Sequence, residues 1–583
     1  MTVANSAPPL RSPLPRALAC ALLAMLAGCA GGPREGAVAP AGGPYDLIIE
    51  NGRVVDGTGA AWHYGDVAVR GDRIVAMTPG GMLADAPARS RVDARGLVVA
   101  PGFIDIQGQS GGSFLLGDGR DVSKITQGIT TEILGEGSTP APINPAHLEL
   151  PRDPERAALA RRFAEPRGFR SWLEAMEAHG IAPNVGSFVG AATVRVYAKQ
   201  EAMGAPTATE LDTMRAVVRR AMEDGAMGMA SALIYPPGNY ATTAELIEEA
   251  KAMAPYGGVY ITHMRSEADD LLEATDEAIR IGREGGVPVE IYHLKAAGKA
   301  NWGKEEREIG KIDSARAAGI DVQADMYPYT AGGTGLSACF PPAASEGGKL
   351  QERLESPAER AKIKEEVLHQ TSNWENLCTQ AGPEGVLLVG FQKAANKKWV
   401  GKRLSEVAAE MGTDWVTAAM NLVESDSSRV GTLFFLMSED NVKLQLRQPW
   451  IKIGTDAGGM DPDSAKARGD LAHPRAYGTY PRILGKYVRE EHVLPLEDAI
   501  RKMTSAVATR LSIPDRGVLR PGLYADIVVF DPNTIGDRAT YEDPHQLSVG
   551  VKHVFVNGVE VVRDGRATGA RPGRVVWGPA LRR

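Results

Sequence analysis

Two histidines end two short apolar runs. Gly258-Val-Tyr-Ile-Thr-His263 and, thirty residues later, Pro288-Val-Glu-Ile-Tyr-His293 each read as a strand buried on both faces, with polar residues at its C-terminal end. Between them, Glu267 to Glu284 carries apolar residues at helical spacing. This is a strand–helix–strand unit, so both imidazoles emerge on one rim of a sheet. A lone histidine at a strand end is most often structural, whereas two at matching ends of consecutive strands point to a metal. Neutral imidazole suits Zn²⁺, and a catalytic zinc needs about three protein ligands plus a water.

Other residues can complete such a site. Asp456, in Ile453-Gly-Thr-Asp456-Ala-Gly-Gly, ends another strand-like run. It can ligate the metal, act as general base on water, or do both; taken alone, a helix N-cap explains it equally well. Glu136, in Ile133-Leu-Gly-Glu136-Gly-Ser, is a candidate third ligand, and a solvent-facing turn glutamate is the plain alternative. Arg475, in Ala472-His473-Pro-Arg475, can hold a substrate carboxylate bidentately. His473 beside it, Lys295 just past His293, and the Tyr235 phenol in Leu233-Ile-Tyr235-Pro-Pro-Gly are further candidates for substrate contact. Each also has an ordinary reading, as ion pair, solvated loop residue or packing group.

The elements that must position these residues alternate along the chain. Strand-like runs fall at 102–109, 130–137, 184–191, 226–233, 259–264, 289–294, 321–327 and 451–456, with helical runs such as 208–223 and 243–254 between them. About eight parallel strands with intervening helices predict a (β/α)8 barrel of the TIM type over 101–507, with chemistry at its C-terminal rim. The gap before the last strand is too long for one crossover, so 340–448 is expected to be an insertion after strand 7, covering the mouth. Alternating apolar and polar residues at Tyr45–Val55 and Asp66–Val75 return at Ala525–Phe530 and Val551–Gly558. Together, 44–100 and 508–575 predict one small β-sandwich built from both chain ends. The fold class is α/β.

The bulk properties agree. The chain has 583 residues, 43% hydrophobic and 23% charged, enough for a large domain plus a smaller one. A net charge of −7 and the lack of a basic stripe argue against a nucleic-acid partner. At the N-terminus, Arg11 and Arg16 precede an apolar run, Ala17 to Ala27, too short to span a bilayer. It ends Leu26-Ala27-Gly28-Cys29, which resembles a bacterial lipoprotein cleavage box. That reading makes 1–29 a signal peptide, lipidates Cys29 and anchors the protein at the periplasmic side of the cell envelope, its sole membrane contact. An ordinary secretory signal is the alternative. Residues 30–43, rich in Gly, Ala and Pro, then form a flexible tether. Cys339 and Cys378 are either paired, as an oxidising compartment allows, or free thiols.

The motifs in combination are specific. Leu233-Ile-Tyr-Pro-Pro-Gly238, Thr262-His-Met-Arg-Ser-Glu267, Tyr292-His-Leu-Lys295, Ala324-Asp-Met-Tyr-Pro-Tyr-Thr330, Gly454-Thr-Asp-Ala457, His473-Pro-Arg475, Tyr541-Glu-Asp-Pro-His545 and Val556-Asn-Gly558 resemble those of the N-acyl-D-amino-acid deacylases (D-aminoacylases) of the amidohydrolase superfamily. The likeness runs from about Tyr45 to Arg574. It implies a barrel with a composite β-sandwich and a covering insertion. It also implies zinc on His263 and His293, Asp456 activating water, and substrate-carboxylate contacts at Tyr235, Lys295 and Arg475. Two departures stand out. Where the family has His-x-His, this chain reads Phe103-Ile-Asp-Ile-Gln107-Gly-Gln109, and amides are poor zinc ligands beside imidazole. Where the family has a ligand cysteine, Gly135-Glu136-Gly137 stands here. The expectation is one zinc, with Glu136 in place of the thiolate, and hydrolysis of a small-molecule N-acyl amino acid. The alternatives are cleavage of D-residue dipeptides or cyclic amides on the same site, and a barrel that binds a ligand without turning it over.

Overall fold

Short apolar runs flanked by glycine and polar residues become eight parallel strands in the computed structural model, which describes residues 43–372, 374–427 and 429–582. They are β1 (Phe103–Asp105), β2 (Ile129–Leu134), β3 (Asn184–Ser187), β4 (Gly228–Ala232), β5 (Val259–His263), β6 (Val289–Ile291), β7 (Val322–Met326) and β8 (Ile451–Ile453). β1 to β3 form one arc and β4 to β8 another, joined at Met227 N to Ser187 O, 2.9 Å. The ring closes where the chain leaves β1 and β8: Asp456 N donates to Gln107 O at 2.9 Å and Gln109 N to Ala457 O at 3.0 Å. Helices follow most strands, including Ala208–Glu223, Thr243–Met253 and Leu271–Gly285. The first starts with a capping box, Thr207 with Glu210, which satisfies two of the orphan amides at the helix start. This is the expected (β/α)8 barrel.

Both chain ends share one nine-stranded sheet, as expected. Tyr45–Val54 pairs antiparallel with His63–Arg70, and Val98–Pro101 pairs with Ile527–Phe530, which is followed by Val551–Val556. The alternation in the sequence explains the packing. Ile527 and Val529 pack with Leu47, Ile49, Val67 and Val69 inside the sandwich. Their neighbours Val528 and Phe530 face the other way, into the cluster that holds Phe103 of β1. One strand thus fastens the sandwich to the barrel, at roughly 1.5–3 kcal/mol for each large apolar side chain removed from water.

After β7 the chain builds a small antiparallel sheet. Its central strand, Gly431–Phe434, is flanked by Gly332–Gly335 and Val386–Gly390. This sheet begins before residue 340. The helix Glu439–Leu446 buries Val442 and Leu446 in the barrel cluster rather than in the cluster of the inserted segment. Cys339 and Cys378 are joined by a disulfide, Cα–Cα 5.1 Å, which resolves the alternative that the sequence leaves open. Residues 1–42, with the signal peptide, Cys29 and nearly all of the tether, lie outside the described residues. Among the described residues no helix is long and apolar enough to cross a membrane.

Candidate metal centre

The strand ends bring three side chains together. His263 is the last residue of β5, His293 lies two residues past β6, and Glu136 two residues past β2. Glu136 Oε1 is 3.3 Å from His263 Nδ1 and 3.3 Å from His293 Nε2. All three ligand atoms lie within 4.8 Å of one another. Zinc bonds of about 2.0–2.1 Å at tetrahedral angles put neighbouring ligand atoms roughly 3.3–3.4 Å apart, so this spacing fits one ion. Local backbone chemistry makes the approach feasible. Gly135 and Gly137 on either side of Glu136 have φ of +114° and +67°, and a Cβ on Gly137 would come within 2.7 Å of the Ala232 side chain. His293 and Asp456 also hold positive φ, 37° and 48°, which is costly for non-glycine residues and typical of functional sites.

Glu267, four residues past His263, lies behind both rings and contacts that of His293 closely. Its Oε1 is 2.9 Å from His293 Nδ1 and accepts from Lys295 Nζ at 2.6 Å; its Oε2 is 3.6 Å from His263 Nε2. A metal on His293 Nε2 puts the ring proton on Nδ1, and Glu267 is in place to accept it. Burial and the Lys295 ammonium lower the His293 pKa, but the Glu267 and Glu136 carboxylates outweigh them and push it up to about 10. Burial likewise opposes the Glu136 charge, yet its contacts with the two imidazoles hold it well below the usual carboxylate range. A pocket that favours a cation this strongly suits a divalent metal.

Asp456 stands on the same rim, outside this three-atom group. Its Oδ2 is 2.8 Å from Arg475 Nη1. Burial raises its pKa, Arg475 opposes the rise and Glu136 adds to it. Arg475 stacks over the Tyr327 ring at 4.5 Å, and its buried Nε has no hydrogen-bond partner among the described residues. His473 uses both ring nitrogens on the backbone: Nε2 donates to Ala331 O at 2.8 Å and Nδ1 accepts from Arg475 N at 3.0 Å. Burial and Arg475 push its pKa well down, so it is neutral. His473 therefore braces Arg475. Lys295 Nζ donates to Glu267 Oε1 at 2.6 Å, the same oxygen that faces His293 Nδ1. Tyr235 meets the His263 ring edge-on, centroids 5.3 Å apart, at the wall of a cavity of about 430 Å³. That cavity is also lined by Arg265, Ser266, Trp374 and Glu375, the last two from the inserted segment.

Beneath the rim lies a fully buried network. Lys124 Nζ donates to Asp105 Oδ2 at 2.7 Å, Glu132 Oε2 at 2.9 Å and Thr455 Oγ1 at 2.7 Å. Asp105 Oδ1 accepts from Gln107 N and Thr455 N. This ties the turns bearing Gln107 and Asp456 to the ends of β1, β2 and β8. Sequence reasoning gave no role to Glu267, Lys124 or Glu375. Only Glu267 carried a signal, its i+4 spacing from His263.

A barrel with one histidine ending β5 and another just past β6, a carboxylate after β8 and a two-ended β-sandwich defines a metal-dependent hydrolase of the amidohydrolase type. The model of the amidohydrolase family Amidohydro_3 matches residues 91–562. D-aminoacylase from Alcaligenes xylosoxydans xylosoxydans is 35% identical over 91% of this chain and 98% of its own length. The N-acyl-D-aspartate deacylase of the same organism is 36% identical over 91% and 95%. The crystal structure of N-acyl-D-glutamate deacylase from Bordetella bronchiseptica, complexed with zinc and a phosphonate inhibitor, superposes with a TM-score of 0.75 at 32% identity, covering 92% of this chain and 100% of that one. The chain belongs to the amidohydrolase family, as a D-aminoacylase-like member without the His-x-His motif.

Proposed function

We propose that the protein hydrolyses the amide bond of N-acyl amino acids of D configuration, releasing a carboxylate and the free amino acid. The convergence of Glu136 Oε1, His263 Nδ1 and His293 Nε2 at metal-ligand spacing carries this reading. The D-amino-acid substrates named for the relatives support its substrate class. These three atoms would hold one Zn²⁺, which when bound polarises the scissile carbonyl and acidifies water.

The chain's own groups do the rest. Asp456 takes the proton of the attacking water on Oδ1, since Oδ2 faces Arg475. The water oxygen forms the new bond to the carbonyl carbon, the C–N bond breaks, and Asp456 returns the proton to the departing amine. Arg475, with Nε unpartnered, binds the substrate α-carboxylate and so fixes which face of the amide meets the water. Tyr235 donates its phenol to the substrate. Lys295 neutralises Glu267 behind the histidines.

The same reading puts the protein at the cell envelope, anchored at Cys29. The Cys339–Cys378 disulfide supports this, because such bonds persist in oxidising compartments. Amine release from paired N-acetyl-D- and N-acetyl-L-amino acids by zinc-replete protein tests the activity. Turnover of the D series is expected; release from neither series would overturn the proposal.

A further inference from the structure

Glu136 offers only one oxygen to the histidines. Its Oε2 accepts the Gln107 side-chain amide at 2.8 Å and the Gln109 amide at 2.7 Å. Two donors occupy the two lone pairs of that oxygen. Oε1 is left facing both imidazoles.

Gln107 is itself held firmly. Its N–H donates to Asp105 Oδ1 at 3.2 Å and its C=O accepts from Asp456 N at 2.9 Å. Its side-chain Oε1 is buried with no partner among the described residues. The contact with Glu136 therefore sets the amide's orientation: a flip would press two oxygens together. Gln109 reaches the same carboxylate oxygen from an exposed position.

We infer that Gln107 and Gln109 are positioning residues that make Glu136 a one-oxygen ligand. Their amide hydrogens fill the side of the carboxylate where a second cation would otherwise bind, so the centre holds a single divalent ion. A carboxylate bridges two cations by giving an oxygen to each. Here the second oxygen is spent on neutral donors, and amide oxygens are weak metal ligands. The two departures from the family pattern, glutamines for His-x-His and glutamate for cysteine, are then one coupled change. This inference rests on the metal reading above.

The test is metal binding, independent of turnover. Metal-free protein is titrated with Co²⁺, whose visible bands report ligand geometry, and zinc content is measured by mass spectrometry after dialysis. Wild-type protein is expected to bind one equivalent. Gln109→Ala, at an exposed site that spares the fold, and the double variant Gln107→Ala/Gln109→Ala should weaken Co²⁺ binding by about 10–100-fold, the usual loss when a ligand's hydrogen-bond partner is removed. Their Co²⁺ bands should shift as Glu136 turns. Wild-type affinity and bands in both variants, or two equivalents bound by wild type, would overturn the inference and leave the metal reading intact. No metal bound by wild type would end both.

Discussion

Arg475 Nη1 lies 2.8 Å from Asp456 Oδ2 at the barrel rim, where Arg475 is buried and Asp456 partly so. In the proposed mechanism the pair joins the group that takes the proton to the group that holds the substrate carboxylate. The contact engages Oδ2 and leaves Oδ1 for the proton transfer proposed above.

Asp456→Asn keeps the shape and removes the proposed base. We expect kcat to fall by about 10²–10⁴-fold, the range for a positioned general base, with zinc content unchanged. Steady-state kinetics alongside metal analysis check this. Wild-type turnover in the variant would remove Asp456 from the mechanism.

Arg475→Gln separates two effects. Losing the guanidinium weakens substrate-carboxylate binding, so KM rises. Arg475 also opposes the burial-driven rise in the Asp456 pKa. Without it that pKa climbs further, and the acid limb of the kcat/KM profile moves to higher pH. A rise in KM with an unmoved acid limb would show that the ion pair does not tune Asp456.

Glu375 makes stability depend on pH. Its Oε2 accepts from Ser266 Oγ, Glu267 N and Ala268 N at 2.8, 2.6 and 3.1 Å. Burial and the Glu267 charge raise its pKa from 4.5 to about 7. Below 4.5 it is protonated in both states and has no effect. Between 4.5 and 7 the unfolded chain releases the proton first, so stability falls as pH rises; above 7 the loss is complete. Glu375→Gln should flatten this slope, so that its urea midpoint relative to wild type improves from pH 5 to pH 8.

The disulfide closes a loop with a sequence separation of 39 in the inserted segment. Chain entropy assigns such a loop about 4 kcal/mol. Cys339→Ser/Cys378→Ser should lower the free energy of unfolding by roughly 2–5 kcal/mol, read from urea denaturation. An unchanged midpoint would mean that the segment is held by its apolar core alone.

Much of the barrel was legible because buried parallel strands write themselves as apolar runs with polar ends. Seven of the eight strands fall within the expected stretches and β2 starts one residue early, at Ile129, while β1 spans only Phe103–Asp105, since Asp105 turns back to accept from Gln107 N. The start of the inserted sheet was not legible. Gly332–Gly335 has almost no side chains to alternate, and only pairing with Gly431–Phe434 makes it a strand. In the site, the histidine pair showed through its regular spacing. The glutamine contacts to Glu136 did not, because they join positions 27 and 29 residues apart that meet only once β1 pairs with β2. The bracing of Arg475 by His473 was hidden for another reason: sequence does not tell which way an imidazole turns.

The central claim is metal-dependent hydrolysis at the Glu136–His263–His293 centre. Its most direct test is to measure amine release from an N-acetyl-D-amino acid as metal-free protein is titrated with Zn²⁺. Activity should appear in proportion to bound zinc, reach a plateau at one equivalent, and be absent in Glu136→Ala and His263→Ala/His293→Ala. Activity that persists without metal, or that survives loss of these three side chains, would contradict the account.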